Sequence, residues 1–561
     1  MAEYLKLKKS NCKNCYKCIR NCPVKSISFS GDQAKILEDE CILCGMCFAN
    51  CPQNAKEIRN DLGNARALIN SGFPVYASVA PSFVANYDNV NMATMRNALK
   101  KLGFKDAGET AIGATAVKTE YDKIVNEAKQ EVVISTCCHT INLLIQKHFT
   151  EAIPYLAKVQ SPMQVHCQKL KDEHKDAKTI FIGPCISKKA EAEEYEGIVD
   201  CVLTFEELSQ WMEEENVEFQ NVPDDDNSGK ARMFPTSGGI LKTMLCDNDD
   251  YNYMAVDGMS SCIHVIKDIV EGNIRKCFIE MSACPGSCVG GPAMHREHRA
   301  PVRDYISINK YAKAANGTDF DISSLEKKDI SKNLTFLGVH KDIAGSKTIE
   351  EILKKMGKQK KEDELNCGSC GYDTCRLKAQ AVFEGKADLS MCLPFLKDKA
   401  ETFSDNIINN TPNGILILNE DMEVQQINSA ARKIMNVRQA SDVIGESVVR
   451  ILEPFDFIEV LSNGRDIHDK RVYLAEYKKY VEETIIYDRS YHILMCLMRD
   501  ITDEEIAKEK KDEIGRHTME VTDKVIEKQM RIVQEIASLL GETAAETKIA
   551  LTNLKESLKD E

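Results

Sequence analysis

Glu280-Met281-Ser282-Ala283-Cys284-Pro285-Gly286-Ser287-Cys288-Val289-Gly290-Gly291-Pro292 sets two cysteines four apart among glycines and prolines. Gly and Pro punctuate the run, so it reads as a loop. In such a loop the backbone can approach a bulky inorganic ligand closely. Two further cysteine loops lie upstream, Ser135-Thr136-Cys137-Cys138 and Gly183-Pro184-Cys185-Ile186-Ser187-Lys188-Lys189. Each of the three follows a short apolar run: Val132-Val133-Ile134-Ser135, Thr179-Ile180-Phe181-Ile182 and Phe278-Ile279-Glu280-Met281. Runs of that length are consistent with buried strands. Sites in α/β folds lie beyond the carboxyl ends of their strands, so the three loops are expected to converge on one metal cluster. Pro74 to Ala80 reads as another buried strand, ended by Ala80-Pro81-Ser82, and Asn91 to Leu102 as a helix capped by Gly103.

The chain has 561 residues, enough for several domains. Its 43% hydrophobic and 29% charged content is ordinary for a soluble globular protein. A net charge of −14 argues against a nucleic-acid or anionic-membrane binder. No apolar run reaches the roughly 20 residues that span a bilayer, and no signal-peptide core precedes the first cysteines, so the expected location is cytoplasmic. The 23 cysteines are an odd number and fall in tight spacings, which points to metal before disulfides. Thiolate-rich ligation suits iron–sulfur clusters or zinc.

Residues 1–62 hold Cys12, Cys15, Cys18 and Cys22 before Pro23, then Cys41, Cys44, Cys47 and Cys51 before Pro52. This repeated Cys-x2-Cys-x2-Cys-x3-Cys-Pro run resembles the two-cluster bacterial ferredoxins, in which the fourth cysteine of each run serves the other cluster. The resemblance implies one 4Fe-4S cluster on Cys12, Cys15, Cys18 and Cys51 and another on Cys41, Cys44, Cys47 and Cys22, working in one-electron transfer. A pair of zinc knuckles is the alternative.

The three loops, in order, resemble those of the catalytic domain of the FeFe (iron-only) hydrogenases, whose patterns are Thr-Ser-Cys-Cys-Pro-x-Trp, Met-Pro-Cys-Thr-Ser-Lys-Lys and Met-Ala-Cys-x-x-Gly-Cys. Ala80-Pro81-Ser82, Ser161-Pro162 and Thr236-Ser237-Gly238-Gly239 are further matches. The domain is expected over residues 70–345. The resemblance implies that Cys138, Cys185, Cys284 and Cys288 ligate a 4Fe-4S cube. It also implies that Cys288 bridges to a diiron subcluster carrying CO, cyanide and an azadithiolate, the whole forming an H-cluster. Lys188 would hydrogen-bond one cyanide and Ser82 the other. A buried anionic ligand requires such donors. Cys137 matches the cysteine that relays protons, against the plainer reading of a small buried thiol. Glu120 is the candidate acid on the proton path.

Departures from the family pattern bear on rate. His139 and Ile141 stand where Pro and Trp are usual, Gly183 and Ser282 where Met is usual, and Met163 where Gln is common. In turnover hydrogenases those Met and Gln side chains touch the diiron site, so their loss is expected to alter its potential and slow turnover. Cys167, Cys201, Cys246, Cys262 and Cys277 lack motif context and read as core thiols.

Residues 346–400 open with helical spacing from Thr348 to Met356 and then hold Cys367, Cys370, Cys375 and Cys392. The text Asn366-Cys367-Gly368-Ser369-Cys370-Gly371-Tyr372 resembles a small 4Fe-4S domain of anaerobic redox proteins; a four-cysteine zinc site is the alternative. The stretch between Cys375 and Cys392 reads as a helix. In residues 401–503, strands 414–418 and 423–427 flank the turn Asn419-Glu420-Asp421-Met422. A helix from Asn428 to Met435 and strands at 482–487 and 491–498 follow, ending in Asp500-Ile501-Thr502; the order resembles a PAS domain. In residues 504–561, Met519, Ile526, Val533, Leu540 and Leu554 form one apolar row and Met530, Ala537, Ala544, Leu551 and Leu558 another. These rows suit a coiled coil or helical bundle, or a helix packed back on the PAS domain.

The expected architecture is multidomain α/β: a ferredoxin-like α+β module, a catalytic α/β domain, a small 4Fe-4S domain, a PAS domain and C-terminal helices. The whole resembles the PAS-bearing sensory class of FeFe hydrogenases. Its expected activity is slow, reversible H2 oxidation and proton reduction that reports H2 or redox state. Implied partners are a redox protein such as ferredoxin, hydrogenase maturation proteins, a signalling kinase or phosphatase, and a second copy in a homodimer. The alternatives are a turnover ferredoxin-dependent hydrogenase and an assembly-type relative lacking the diiron site.

Overall fold

The computed structural model describes residues 4–8, 11–30, 33–224, 229–294, 301–313, 317–326, 328–338, 342–540, 551–555 and 557. It divides into two compact units, Met1–Leu396 and Lys397–Glu561.

In the first unit, strand Leu5–Leu7 pairs antiparallel with Lys56–Ile58, and Ile27–Ser30 with Gln33–Ile36. Two short helices, Lys17–Asn21 and Met46–Ala49, complete this α+β module. Each starts next to the third cysteine of its run, so the tight turn before it gathers three thiols.

The central region is built on two parallel sheets. One runs in the order Asp106–Glu109, Val75–Val79, Lys178–Gly183, Cys201–Thr204. The other runs Asn252–Asp257, Cys277–Ser282, Val132–Ile134. Their strands are short, and those at the centre are buried along their length, as parallel strands covered on both faces are. Every candidate loop leaves a carboxyl end: Pro81-Ser82, Cys137-Cys138, Cys185, and Cys284 with Cys288. Three strands, Asp106–Glu109, Cys201–Thr204 and Asn252–Asp257, are additional to those expected from apolar runs. The helix Met92–Lys101 is N-capped by Asn91, whose side chain accepts from Thr94 N–H. Beyond the second sheet, helix Pro301–Lys313 brings Tyr311 Oη within 2.6 Å of Glu109, the buried partner of Arg232.

The four-cysteine module opens with helix Ser346–Lys355. Between Cys375 and Cys392 the helix is shorter than expected: it ends at Phe383, and a single 3-10 turn, Leu389–Met391, returns the chain to Cys392. Gly385, at φ 70°, turns the chain there.

In the second unit a five-stranded antiparallel sheet runs Val424–Ile427, Gly414–Asn419, Ile493–Asp500, Lys479–Asp488, Ile467–Leu474. Helix Ser429–Ile434 begins at Asn428, whose side chain accepts from Ala431 N–H. Leu416, Phe457, Val481, Leu494 and Cys496 fill the core. Helix Thr502–Leu540 then extends for 39 residues. Lys555 pairs with Asp523 at 2.9 Å, so the chain returns along this helix. Ile526, Met530 and Val533 are half-buried on it. The side chains of Ala537 and Leu540, and residues Ala544 and Leu558, lie outside the described residues.

Candidate metal centres

Four sets of cysteines each ring a cavity. Cys12, Cys15, Cys18 and Cys51 line one of about 410 Å³, and Cys22, Cys41, Cys44 and Cys47 another of about 310 Å³. Cys367, Cys370, Cys375 and Cys392 line a third of about 360 Å³. These are the sets that the resemblance to two-cluster ferredoxins and to the small 4Fe-4S domain implies. The fourth cavity, about 730 Å³, is lined by Cys138, Cys185 and Cys288. Cys284 stands beside all three, close enough for their charges to act on it. Among the described residues, no three potential ligands are near enough to share a single metal ion. Thiols around one zinc sit about 2.3 Å from a common centre. Thiols spread around a cavity fit a cluster with several irons.

Three thiols of the fourth set, Cys185, Cys284 and Cys288, resist ionisation. Burial, then neighbouring thiolates, push Cys185 up to about 11 and Cys288 to about 12; Cys284 is raised for the same reasons. Thiolates crowded without water need a metal's positive charge to be stable. The fourth cavity is roughly twice as large as the others, and polar side chains collect in its extra space: Ser82, Cys137, Lys188 and Ser282, with Met163 beside them. Ser82 is fully buried and its hydroxyl has no hydrogen-bond partner. An orphaned donor facing a cavity fits a ligand that accepts there.

Lys188 is held from behind. Its Nζ donates to Cys137 O at 3.1 Å and to Glu191. Burial disfavours the ammonium, but Glu191 outweighs it and raises the lysine. Glu191 is itself fully buried, and Lys188 and Lys332 hold it well below the usual carboxylate range against the effect of burial. Ser161 Oγ donates to Glu191 at 3.1 Å and Lys332 Nζ at 2.6 Å. The Ser161-Pro162 motif thus serves the lysine's counterion.

Cys137 lines the cavity and lies 3.2 Å from Tyr121 Oη. Burial pushes its thiol up to about 12. Glu280, within electrostatic reach of that thiol, was not singled out by the sequence patterns. It sits mid-strand, and burial raises it to about 7 although backbone N–H groups of residues 238–241 face its carboxylate. The Leu241 N–H donates at 3.1 Å. A carboxylate inside an otherwise apolar strand was the signal that could have found it. Glu120 is not brought to the cavity: its side chain is 35% exposed and pairs with Lys123 at 2.9 Å.

Gly183 does not itself line the cavity. A Cβ there would come 2.7 Å from the Phe181 ring, and Phe181 is the residue that reaches the cavity wall. Ser282 Oγ lies 3.0 Å from Ser287 Oγ, so the two hydroxyls satisfy one another. His139 is buried, and burial depresses it to about 3, a neutral ring. On the ferredoxin side, Gly45 stands so near Pro292 that a Cβ would meet its Cβ at 2.5 Å. The charge of Cys44 acts on Cys284, which places the Cys22 set next to the large cavity.

Comparison with known proteins defines the class. Residues 73–292 match the family model described as iron only hydrogenase large subunit, C-terminal domain. Residues 4–68 match a 4Fe-4S dicluster domain, 363–394 an Fe-S cluster domain and 402–504 the PAS fold. The chain thus joins an iron-only-hydrogenase-type domain to iron–sulfur modules and a PAS domain. Among curated proteins, the periplasmic Fe hydrogenase large subunit of Nitratidesulfovibrio vulgaris is 23% identical over 319 residues, 44% of this chain and 75% of that protein. Iron hydrogenase 1 of Clostridium pasteurianum is 22% identical over 274 residues, 39% of this chain and 48% of that one. The cytosolic Fe-S cluster assembly factor NAR1 of Yarrowia lipolytica is 24% identical over 210 residues, 34% and 42%. The chain therefore spans less than half the length of the latter two. Among solved structures, the apo FeFe hydrogenase HydA1 of Chlamydomonas reinhardtii is 16% identical with a TM-score of 0.39, covering 50% of this chain and 100% of that one. No helix among the described residues is long and apolar enough to cross a membrane.

Proposed function

We propose that this chain is a sensory FeFe hydrogenase, with 4Fe-4S clusters in the three smaller cavities and an H-cluster in the large one. The observation that carries this is the composition of the large cavity, where Cys137, Lys188 and the orphaned Ser82 hydroxyl gather beside Cys288. A bare 4Fe-4S cube needs four thiols and no such donors. When bound, the cluster would supply the reversible splitting of H2 into two protons and two electrons. Lys188 and Ser82 then donate to its anionic ligands, and Glu191 keeps the lysine charged. Cys137 holds or passes the proton, with Tyr121 and Glu280 behind it. Electrons pass through the Cys22 set, which lies against Cys284.

Ser282 and Met163 change the side chains lining the cavity from those of turnover enzymes, and Phe181 fills the space beside Gly183. Slow turnover suits a reporter of hydrogen. The PAS domain and its long helix would carry the signal to a kinase or phosphatase, in a cytoplasmic homodimer that also meets a ferredoxin-like redox partner and the maturation proteins. Infrared spectra of maturated protein under hydrogen and under argon test this. CO and cyanide bands that shift with the gas are expected, and Cys288→Ala should abolish them. Bands that persist in that variant would sink the bridging role.

Similarity to the assembly factor favours a second reading, a relative that keeps the cubes and lacks the diiron site. Full iron in the cubes with no CO or cyanide bands would support it. Hydrogen evolution as fast as a turnover hydrogenase would instead place the chain among ferredoxin-dependent enzymes.

A further inference from the structure

We propose that Tyr372 joins the four-cysteine site of residues 367–392 to the site of Cys22, Cys41, Cys44 and Cys47, so that the electron relay forks there. This rests on the reading that both sites hold iron–sulfur clusters.

The two modules are fitted to one another. Gly371, at φ 91°, lies so close to helix Lys17–Asn21 that a Cβ would come 2.9 Å from Ile19 Cγ2 and 3.1 Å from Arg20 N. That helix carries Cys18 and leads into Cys22. Lys25 Nζ donates to Gly371 O at 2.9 Å, and the Arg20 guanidinium to Ser369 O at 3.1 Å. From the other side, Lys386 Nζ donates to Glu40 at 2.8 Å, and Lys386 O accepts from Phe29 N–H at 2.7 Å. Four polar contacts from both partners around a glycine-sized gap define one docking geometry.

Tyr372 is the side chain at the centre of this contact. It lines the four-cysteine cavity and packs in the same apolar cluster as Cys22. It is 3% exposed, and its hydroxyl has no hydrogen-bond partner. Burial raises the hydroxyl, which stays protonated; the cysteines whose charges act on it are Cys370 and then Cys22. This buried O–H finds no acceptor among the protein atoms, cysteine sulfur included, and Tyr372 lines the four-cysteine cavity, so a cluster seated there would offer it a sulfur acceptor. Such a donor favours the reduced, more negative form of the four-cysteine site. The Cys22 set therefore has three neighbours: the Cys284 loop through Cys44, the Cys12 set through helix Lys17–Asn21, and the four-cysteine site through Tyr372. One electron crosses at a time. The four-cysteine site is oxidised by one as the Cys22 site is reduced by one, and no proton leaves Tyr372.

The test is potentiometric electron paramagnetic resonance on the full-length, anaerobically reconstituted chain, with iron counted. Tyr372→Phe should keep full iron and make reduction of the four-cysteine site about tenfold less favourable at a fixed potential, about 59 mV for one electron, leaving the Cys12 site unmoved. Gly371→Val, and the milder pair Arg20→Ala with Lys25→Ala, should weaken magnetic coupling between the two reduced sites at unchanged iron content. Full iron with every potential and coupling unchanged overturns the proposal alone. Zinc in place of iron at residues 367–392 overturns it together with the cluster reading beneath it.

Discussion

Glu280 shows what a single misplaced charge can mean. Its strand neighbours Phe278, Ile279 and Met281 are core residues, and a buried carboxylate persists there only because backbone N–H groups face it. Raised to about 7, it is poised to exchange protons near neutrality. Below that value it is the donor form and above it the acceptor. Proton reduction should therefore fall, and H2 oxidation rise, as pH passes through about 7. Glu280→Gln should flatten both profiles and lower turnover by about 10²–10⁴-fold, read by hydrogen–deuterium exchange; a profile that keeps its step would assign the proton to another group. Glu191 makes a second case. Glu191→Ala leaves Lys188 and Lys332 as buried cations without their carboxylate, and losing one partner of a buried pair costs about 3–5 kcal/mol. Denaturant unfolding of the metal-free chain should show that loss. The cysteines of the ferredoxin-like runs and of the four-cysteine module were legible because their spacing is local, whereas Cys138, Cys185 and the Cys284–Cys288 pair lie in three distant loops that only the family resemblance joined into one ligand set. Glu191, Lys332 and Tyr372 were not legible: Lys332 meets Glu191 from 141 residues away, Tyr372 packs against another module, and although Glu191 lies within a turn of Lys188, nothing in the sequence marks it as buried.

Strands and loops repeat this contrast at the scale of the element. The runs ending at Ile134, Gly183 and Ser282 are strongly apolar and announce themselves as strands. Asp106–Glu109 and Asn252–Asp257 are short and partly polar, so only pairing with Val75–Val79 and Cys277–Ser282 makes them strands. The expected helix between Cys375 and Cys392 stops at Phe383 because Gly385 offers a left-handed turn and Asp388 caps the 3-10 turn that follows. In the PAS sheet, Glu483 on strand Lys479–Asp488 is 6% exposed; burial and the Asp456 carboxylate raise it to about 7, while Lys470 opposes the shift. A carboxyl raised on folding adds stability below its unfolded value, near 4.3, and that contribution is lost as pH rises to about 7. The melting midpoint of the second unit's transition should drop across that window by roughly 2–4 °C for each kcal/mol lost, the shift for a unit of this size. Glu483→Gln should remove the drop. A pH-independent midpoint in the parent chain would show that the carboxyl ionises freely in the fold.

Taken whole, the chain places its chemistry before its PAS sheet in sequence, and the order has a consequence. Cys392, the last thiol of the four-cysteine set, directly precedes the helix Leu393–Asn410, and four residues later the first PAS strand begins. A change of charge at that set would therefore lie at the first turn of the helix that precedes the PAS strands in sequence. Helix Thr502–Leu540, which follows the last PAS strand, keeps Ile514, Val521, Val525 and Ile532 exposed, a row suited to a second copy or a signalling partner. If the hydrogenase centre and the PAS domain form one sensor, hydrogen gas must alter the second unit, not only the clusters. Amide hydrogen exchange compared under hydrogen and argon measures this across residues 397–540. Exchange there should change with the gas in the maturated parent chain. It should stop responding in Cys288→Ala, which lacks the reacting centre, and in Cys375→Ala, which lacks the last module before the PAS domain. A response that survives in Cys375→Ala would route the signal around the four-cysteine site. No response in the parent chain, with hydrogen chemistry intact, would make this an enzyme whose PAS domain answers to something other than hydrogen.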